Sequence, residues 1–153
     1  MNTNFFSKRL AHALGFAGLI PFVLLSLACW VVHPDWLGQV VKGQLFYGIA
    51  ILSFLGGIHW GAALTCHQLT IAQTKRALVW GITPSLIALI AAKLILGLGF
   101  AVLVAGFIAA YQIDKRIYHW YGIADWFIHL RFKLTCVVVT ALLLTFAAAN
   151  FRA

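Results

Sequence analysis

One histidine, His59, lies inside a long apolar stretch, where an ionisable side chain is a candidate functional group. A neutral imidazole there could ligate haem iron, relay protons or hold a quinone carbonyl. It could equally donate a hydrogen bond to a neighbouring helix and fix the packing, which is the interpretation we favour. His67 lies about 12 Å along the same helix and cannot share one iron with His59. His12 and His129 could supply a second ligand, but no motif pairs them with His59, so we expect no cofactor.

Three further polar residues could act near the same membrane depth. Asp114 ends the fourth apolar run and Arg131 begins the fifth, so the two could close a salt bridge across a helix bundle. Such a bridge could latch the last helix, or it could act as a gate or an anion-binding contact. Ser85 follows Pro84, which leaves a backbone carbonyl free to bind the hydroxyl or a polar ligand. The candidate site is therefore His59, Ser85, Asp114 and Arg131.

Enzymatic chemistry has little support. The chain has no glutamate and only three aspartates, and no Ser or Cys stands beside a base at a useful spacing. A glycine-rich phosphate loop is also missing. Cys29, Cys66 and Cys136 fall in separate apolar runs without the CxxC spacing of metal or redox sites, which favours buried apolar roles. The sequence predicts a protein that is not an enzyme, with no catalytic residue and no metal ligand.

The elements that position these residues are membrane helices. Hydrophobic residues make up 63% of the chain and charged residues 9%, against roughly a quarter charged in soluble domains. The apolar runs predict helices at about 10–32, 44–66, 77–92, 97–113 and 126–151, within one integral-membrane domain spanning 1–153. The third and fourth form a hairpin that turns near Lys93, since a single helix would be roughly 55 Å long. We predict an all-α bundle of five transmembrane helices, with an aromatic interfacial segment before the last.

The basic residues predict the orientation of this bundle. Short cytoplasmic loops carry an excess of Lys and Arg, and an N-in, C-out arrangement puts eight of the eleven inside. Four crossings would divide the charge evenly and strand Lys93 in hydrocarbon. The net charge of +8 is thus explained by insertion and by anionic lipid, so nucleic acid is not an expected partner. The first run resembles a signal peptide but is too long for one, so we expect an uncleaved helix. The eight are Lys8, Arg9, Lys75, Arg76, Lys115, Arg116, Arg131 and Lys133.

Small residues and prolines mark positions where helices should pack closely or bend. Ser53, Gly57 and Gly61 recur every four residues, the geometry of a close helix contact in membranes. Proline removes a backbone donor, so Pro21 and Pro84 should interrupt their helices. We also expect Asp125 to cap the last helix. The packing and kink positions are Gly15, Gly18, Pro21, Ser53, Gly57, Gly61 and Pro84.

A longer motif carries a resemblance to a known family. The run Tyr-Gly-x-x-Ile-Leu-Ser-Phe-Leu-Gly-Gly-x-His-Trp-Gly, from Tyr47 to Gly61, is its specific part. Leu-Ile-Pro-Phe in the first helix, Pro-Ser-Leu in the third, Asp-Lys-Arg after the fourth and Trp-x-x-x-Leu-Arg-x-x-Leu-Thr entering the fifth complete it. With these the chain resembles the transmembrane-protein-69-like proteins, domain of unknown function family 3429. Phe127 stands where the family often has Tyr. The resemblance implies a small polytopic protein of the bacterial inner membrane, and it implies no activity.

Two classes of function remain open. The first is a non-catalytic component of a membrane complex, an assembly or stability partner whose small-residue faces bind other helices or a second copy of the chain. The second is a small oligomeric carrier or channel, with His59 and the interrupted helices lining a polar cavity in the cytoplasmic leaflet. Haem or quinone binding is a remote third. We expect the partner role. A water-filled cavity that reaches His59 would favour the carrier, whereas a dry core around His59 would favour the partner role.

Overall fold

The computed structural model describes residues 3–152, with side chains from Lys8 onward. This part of the chain is helical and contains no strand. Five segments are long and apolar enough to span a membrane: Lys8–Val31, Pro34–Thr65, Ile71–Lys93, Leu96–Tyr121 and Asp125–Phe151. The predicted all-α bundle with five spans is confirmed. Its helices are α1 (Thr3–Ala17), α2 (Ile20–Val31), α3 (Pro34–Thr65), α4 (Ile71–Lys93), α5 (Leu96–Ile117) and α6 (Asp125–Phe151), with a short 3-10 helix at Tyr118–Tyr121.

The two ends of the described chain lie at opposite ends of the bundle. Near the start, the His12 ring stacks on Trp126 at the beginning of α6, with centroids 5.4 Å apart. At the other end, Arg152 Nη2 donates to the carbonyl of Val32, which follows α2, at 2.8 Å. We call the end that contains Lys8 and the connections 66–70 and 118–124 the basic end. The other end contains the connections 32–33 and 94–95.

Helix starts differ from those expected from the apolar runs. α3 begins at Pro34, because proline suits the first helical turn and Asp35 there favours the positive helix terminus. α4 begins at Ile71, where Thr70 and Gln73 form a reciprocal capping box. The prediction that Asp125 caps α6 was wrong: the capping position belongs to Ala124, and no side chain bonds there. Asp125 instead lies in the first turn, where a carboxylate still favours the helix dipole.

The two interior prolines behave differently. Pro21 lies in the first turn of α2, and the first span is interrupted just before it, at Gly18 and Leu19. The freed backbone is satisfied in part by Tyr47, whose hydroxyl donates to the Gly18 carbonyl at 2.8 Å. Pro84 lies inside α4 without ending it, since α4 continues to Lys93. The expected interruption therefore occurs in the first span only.

α3 is the central helix and contacts α2, α4, α5 and α6. Its closest approach is to α4, where a Cβ placed on Gly56 would collide with the Gly81 carbonyl oxygen. A side chain on Gly56 would therefore push the two backbones apart, and a Cβ on Gly81 would collide with the Trp60 ring. This contact holds the stretch of α3 that contains His59 firmly against α4.

Candidate functional site

Asp114, in the last turn of α5, is the centre of a polar cluster inside the bundle. The residue is only 2% exposed, yet both carboxylate oxygens are hydrogen-bonded. Oδ1 faces His59 Nε2 at 2.8 Å and accepts from Trp80 Nε1 at 3.1 Å. Oδ2 accepts from Arg131 Nη2 at 2.6 Å. One side chain of α5 is therefore tied to α3, α4 and α6.

His59 has a partner on each ring nitrogen. Nε2 carries a proton, because it faces a carboxylate oxygen that can only accept. Nδ1 lies 3.2 Å from the hydroxyl of Tyr121, and in the neutral imidazole it accepts from that hydroxyl. The Tyr118 ring stacks on the imidazole with centroids 5.3 Å apart. The His59 residue is 0% exposed, so no ring atom is open to a ligand.

Arg131 supplies the positive charge of the cluster and is 5% exposed. Its bond to Asp114 makes a buried ion pair, and a neutral His59 leaves the cluster without net charge. Burying two charges is costly unless they are paired and hydrogen-bonded, and here the aspartate meets both conditions. Within the described chain, Arg131 Nε and the Tyr118 hydroxyl have no hydrogen-bond partner. The guanidinium is thus only partly used by the cluster.

The structure brings together three of the four residues proposed from the sequence: His59, Asp114 and Arg131. Ser85 is half-buried on α4 and, among the residues described, has no hydrogen bond to them. The sequence analysis missed Trp80. It also missed Tyr118 and Tyr121. The only available signal was the polar N–H or O–H group that each of these aromatic side chains carries, close to the predicted membrane depth of Asp114.

The predicted packing residues have separate places in the bundle. Gly15 faces α6, where an added Cβ would lie 3.1 Å from Leu134 Cδ1. Gly57 and Gly61 are exposed, and an added Cβ on either would meet no atom within 4 Å. Ser53, on the same line of α3, is half-buried. Gly57 and Gly61 are therefore not used for packing inside the described chain, where Gly56 takes that role instead.

The cluster can do a limited range of chemistry as it stands. All six of its side chains come from helices or the 3-10 turn, and the polar atoms of Asp114 and His59 are already bound to protein groups. A substrate could reach them only if these bonds broke. Within residues 3–152, no three His, Cys, Asp or Glu side chains lie close enough together to hold a metal ion. The arrangement is suited to fixing the relative positions of four helices.

Comparison with known proteins gives a family. A family model described as "Protein of unknown function (DUF3429)" matches residues 7–147. A similar protein is "Transmembrane protein 69" of Xenopus tropicalis, 48% identical over 54 residues. That match covers 33% of this chain and 20% of the frog protein, so it spans a small part of the relative. No solved structure matches.

Proposed function

The chain belongs to the DUF3429 family of proteins of unknown function, and we propose that it is a non-catalytic component of a membrane complex. In this role the bundle is a rigid, preformed unit that binds a transmembrane helix of a partner or of a second copy. The observation that carries the proposal is the sealed polar cluster, in which every polar atom of His59 and Asp114 is bound within the chain.

The sealed cluster favours this role over a carrier. A carrier with a site around His59 needs a water-filled route to the imidazole, because transported polar groups must reach it. Here His59 and Asp114 are almost wholly buried, and the stacked ring of Tyr118 covers the imidazole. The same burial argues against an enzyme, since a general acid or base must reach a substrate. The cluster is better explained as the latch that joins α3, α4, α5 and α6.

The open small-residue face of α3 supports a helix partner. Gly57 and Gly61 lie one turn apart on the outer surface, with free space around both. Small residues at this spacing let a second backbone approach closely. In lipid the hydrophobic effect does not drive helices together, so van der Waals packing across this close contact stabilises the pair instead. Neighbouring Gly56 is used inside the bundle, so the exposed pair is a separate surface.

We place the protein in a bacterial inner membrane with the basic end in the cytosol. The connections and helix ends there contain most of the Lys and Arg residues, as retention of short cytoplasmic loops requires. The polar cluster then lies in the cytoplasmic leaflet, and the C-terminal end of α6 faces the other compartment. Tags on the two ends that report the same compartment would contradict this orientation.

Substitution of the exposed glycines tests the partner role. Gly57→Ile and Gly61→Ile should each shift the protein from a larger native complex to its free form, because a branched side chain blocks close approach. The measurement is the native mass in mild detergent at natural abundance, alongside the thermal unfolding midpoint of the purified chain. That midpoint should not fall, because an added Cβ at either position meets no atom within 4 Å.

Gly38→Ile is the matched control, since Gly38 lies on the same helix and an added Cβ there also meets nothing within 4 Å. It should leave the native mass unchanged. A wild-type protein that runs as a single free chain at natural abundance would contradict the partner role. So would a native mass that all three substitutions leave unaltered.

A further inference from the structure

A shallow groove of about 430 Å³ runs along the outer surface of α4 at the basic end. It begins at Ala72, in the first turn of the helix, and ends at Thr83, about 16 Å further at 1.5 Å per residue. Residues three and four apart are neighbours on a helix, so the lining residues form two adjoining rows on one face. The residues of the groove are Ala72, Lys75, Arg76, Val79, Trp80 and Thr83.

Two cations line the part of the groove nearest the membrane surface. Lys75 and Arg76 are both exposed, and among the residues described neither forms an ion pair. The chain has only three acidic residues, and the buried one, Asp114, is already paired with Arg131. Long basic side chains near a helix end extend towards the headgroups, here in the direction of the connection 66–70. The charge of the pair is therefore left for an anion from outside the chain.

The consecutive positions of the two cations suit a single anion. Lys75 belongs to the row that continues to Val79, and Arg76 belongs to the row that continues to Trp80, each four residues on. One cation therefore stands on each side of the groove at the same level. A phosphate between the two rows meets both, because the guanidinium fork binds two phosphate oxygens and the ammonium adds a point charge.

The part of the groove nearer the membrane centre is apolar. Val79 is 61% exposed there, opposite the half-buried Trp80. The indole of Trp80 is held in place, because its Nε1 donates to Asp114 Oδ1 at 3.1 Å. Thr83 adds no free donor, since its hydroxyl donates to the Val79 carbonyl at 3.0 Å. A ligand that covers this part must be apolar.

Only an amphiphile with an anionic head matches both parts of the groove. A soluble phosphate would leave the apolar part uncovered, and a zwitterionic lipid brings a cation of its own to the two positive side chains. We propose that the groove binds one anionic phospholipid, with its phosphate between Lys75 and Arg76 and an acyl chain along Val79 towards Thr83. This inference concerns a different helix and a different ligand from the proposed helix partner.

A second basic pair separates this site from a general attraction to anionic lipid. Lys115 and Arg116 are consecutive and exposed in the last turn of α5, at the same end of the bundle, and they do not line the groove. Cations near an anionic leaflet attract it wherever they lie on the surface. A general attraction therefore predicts equal effects when either pair is neutralised, whereas a site on α4 predicts an effect from the α4 pair alone.

Native mass spectrometry of the purified protein, with phosphatidylglycerol added to the micelles, measures the bound lipid. The wild type should retain one molecule, and phosphatidylcholine in excess should not displace it. Lys75→Gln combined with Arg76→Gln should weaken this binding about twenty-fivefold, the factor for two cations at about 1 kcal/mol each. Lys115→Gln combined with Arg116→Gln is the matched control and should bind like the wild type.

Filling the apolar part of the groove tests the site without changing any charge. Val79→Trp should remove the bound phosphatidylglycerol, because the larger side chain occupies the place of the acyl chain. Ile82→Trp is the matched control, since Ile82 is exposed on the same helix and lies outside the groove. It should bind like the wild type. If Val79→Trp fails to fold, the two charge variants decide the matter.

Three results would overturn the proposal. One is an equal loss of phosphatidylglycerol from the two charge variants, which would show attraction to the whole basic end. Another is displacement of phosphatidylglycerol by phosphatidylcholine. The last is unchanged binding by a folded Val79→Trp. Because none of these measurements depends on a partner helix, their failure would leave the proposed role in a complex standing.

Discussion

Replacing Asp114 by Asn should destabilise the bundle by at least about 3 kcal/mol. The substitution keeps the size of the side chain but leaves the Arg131 guanidinium buried without its counter-ion. Breaking a buried pair by removing one partner costs about 3–5 kcal/mol. The three hydrogen bonds to Asp114, at about 0.6 kcal/mol each within membrane proteins, would account for only about 2 kcal/mol. The measured loss therefore distinguishes a charged latch from hydrogen bonding alone.

A double-mutant cycle with Arg131→Met isolates the ion pair. Each single variant leaves one charge buried and unpaired, whereas the double variant buries none, so its loss should fall short of the sum by about 2 kcal/mol. The free energies come from reversible unfolding in mixed micelles, followed by circular dichroism. Asp125→Asn makes the same chemical change at an exposed position and should cost less than about 0.5 kcal/mol. Losses that add within about 0.5 kcal/mol, or a cost of about 2 kcal/mol or less for Asp114→Asn, would refute the charged latch.

Four further substitutions test the packing of the helices. Gly56→Ala should lower stability by about 1–3 kcal/mol, because the methyl group meets the α4 backbone, while Gly57→Ala should be neutral or stabilising by up to about 1 kcal/mol. Equal unfolding midpoints for the two would contradict the close approach of α3 to α4. His59→Ala should lower the free energy of unfolding by about 2 kcal/mol or more, because it leaves a cavity and removes a hydrogen-bond partner of Asp114 and Tyr121. An unchanged unfolding midpoint in detergent would exclude a structural role. Arg152→Gln should weaken the tie to the carbonyls at the end of α2, seen as faster hydrogen exchange in the last turn of α6 and not at its start.

The fold could be predicted because membrane-spanning helices can be recognised from the order of residues along the chain. Length of apolar run and placement of basic residues depend on local sequence alone, and both indicated five spans. The first residues of the helices were harder to predict, since α3 and α4 begin in polar stretches. Thr70 and Gln73 form a capping box that a search of the apolar runs alone does not reach. Asp125 has the composition of a cap but lies one position inside the helix.

The candidate site could be predicted from the sequence only to the extent that its residues lie at the same membrane depth. His59, Asp114 and Arg131 share a level in the topology, so grouping them needed no knowledge of packing. The contribution of Trp80 depends on which face of α4 meets α5, and that face is set by Gly81 against α3. Tyr121 depends on the 3-10 turn, which no periodic pattern in the sequence marks. Contacts of this kind follow from helix rotation, which a single sequence does not specify.

Arg131 joins the last helix to the polar cluster. Its Nη2 donates to Asp114, and the residue is almost wholly buried. The aspartate that accepts from it also balances its charge, so the pair adds no net charge to the interior of the bundle. A lysine could not take this place, because it is a single point charge, whereas the guanidinium fork presents separate donors in fixed directions. The pairing with Asp114 therefore fixes the start of the last helix against α5.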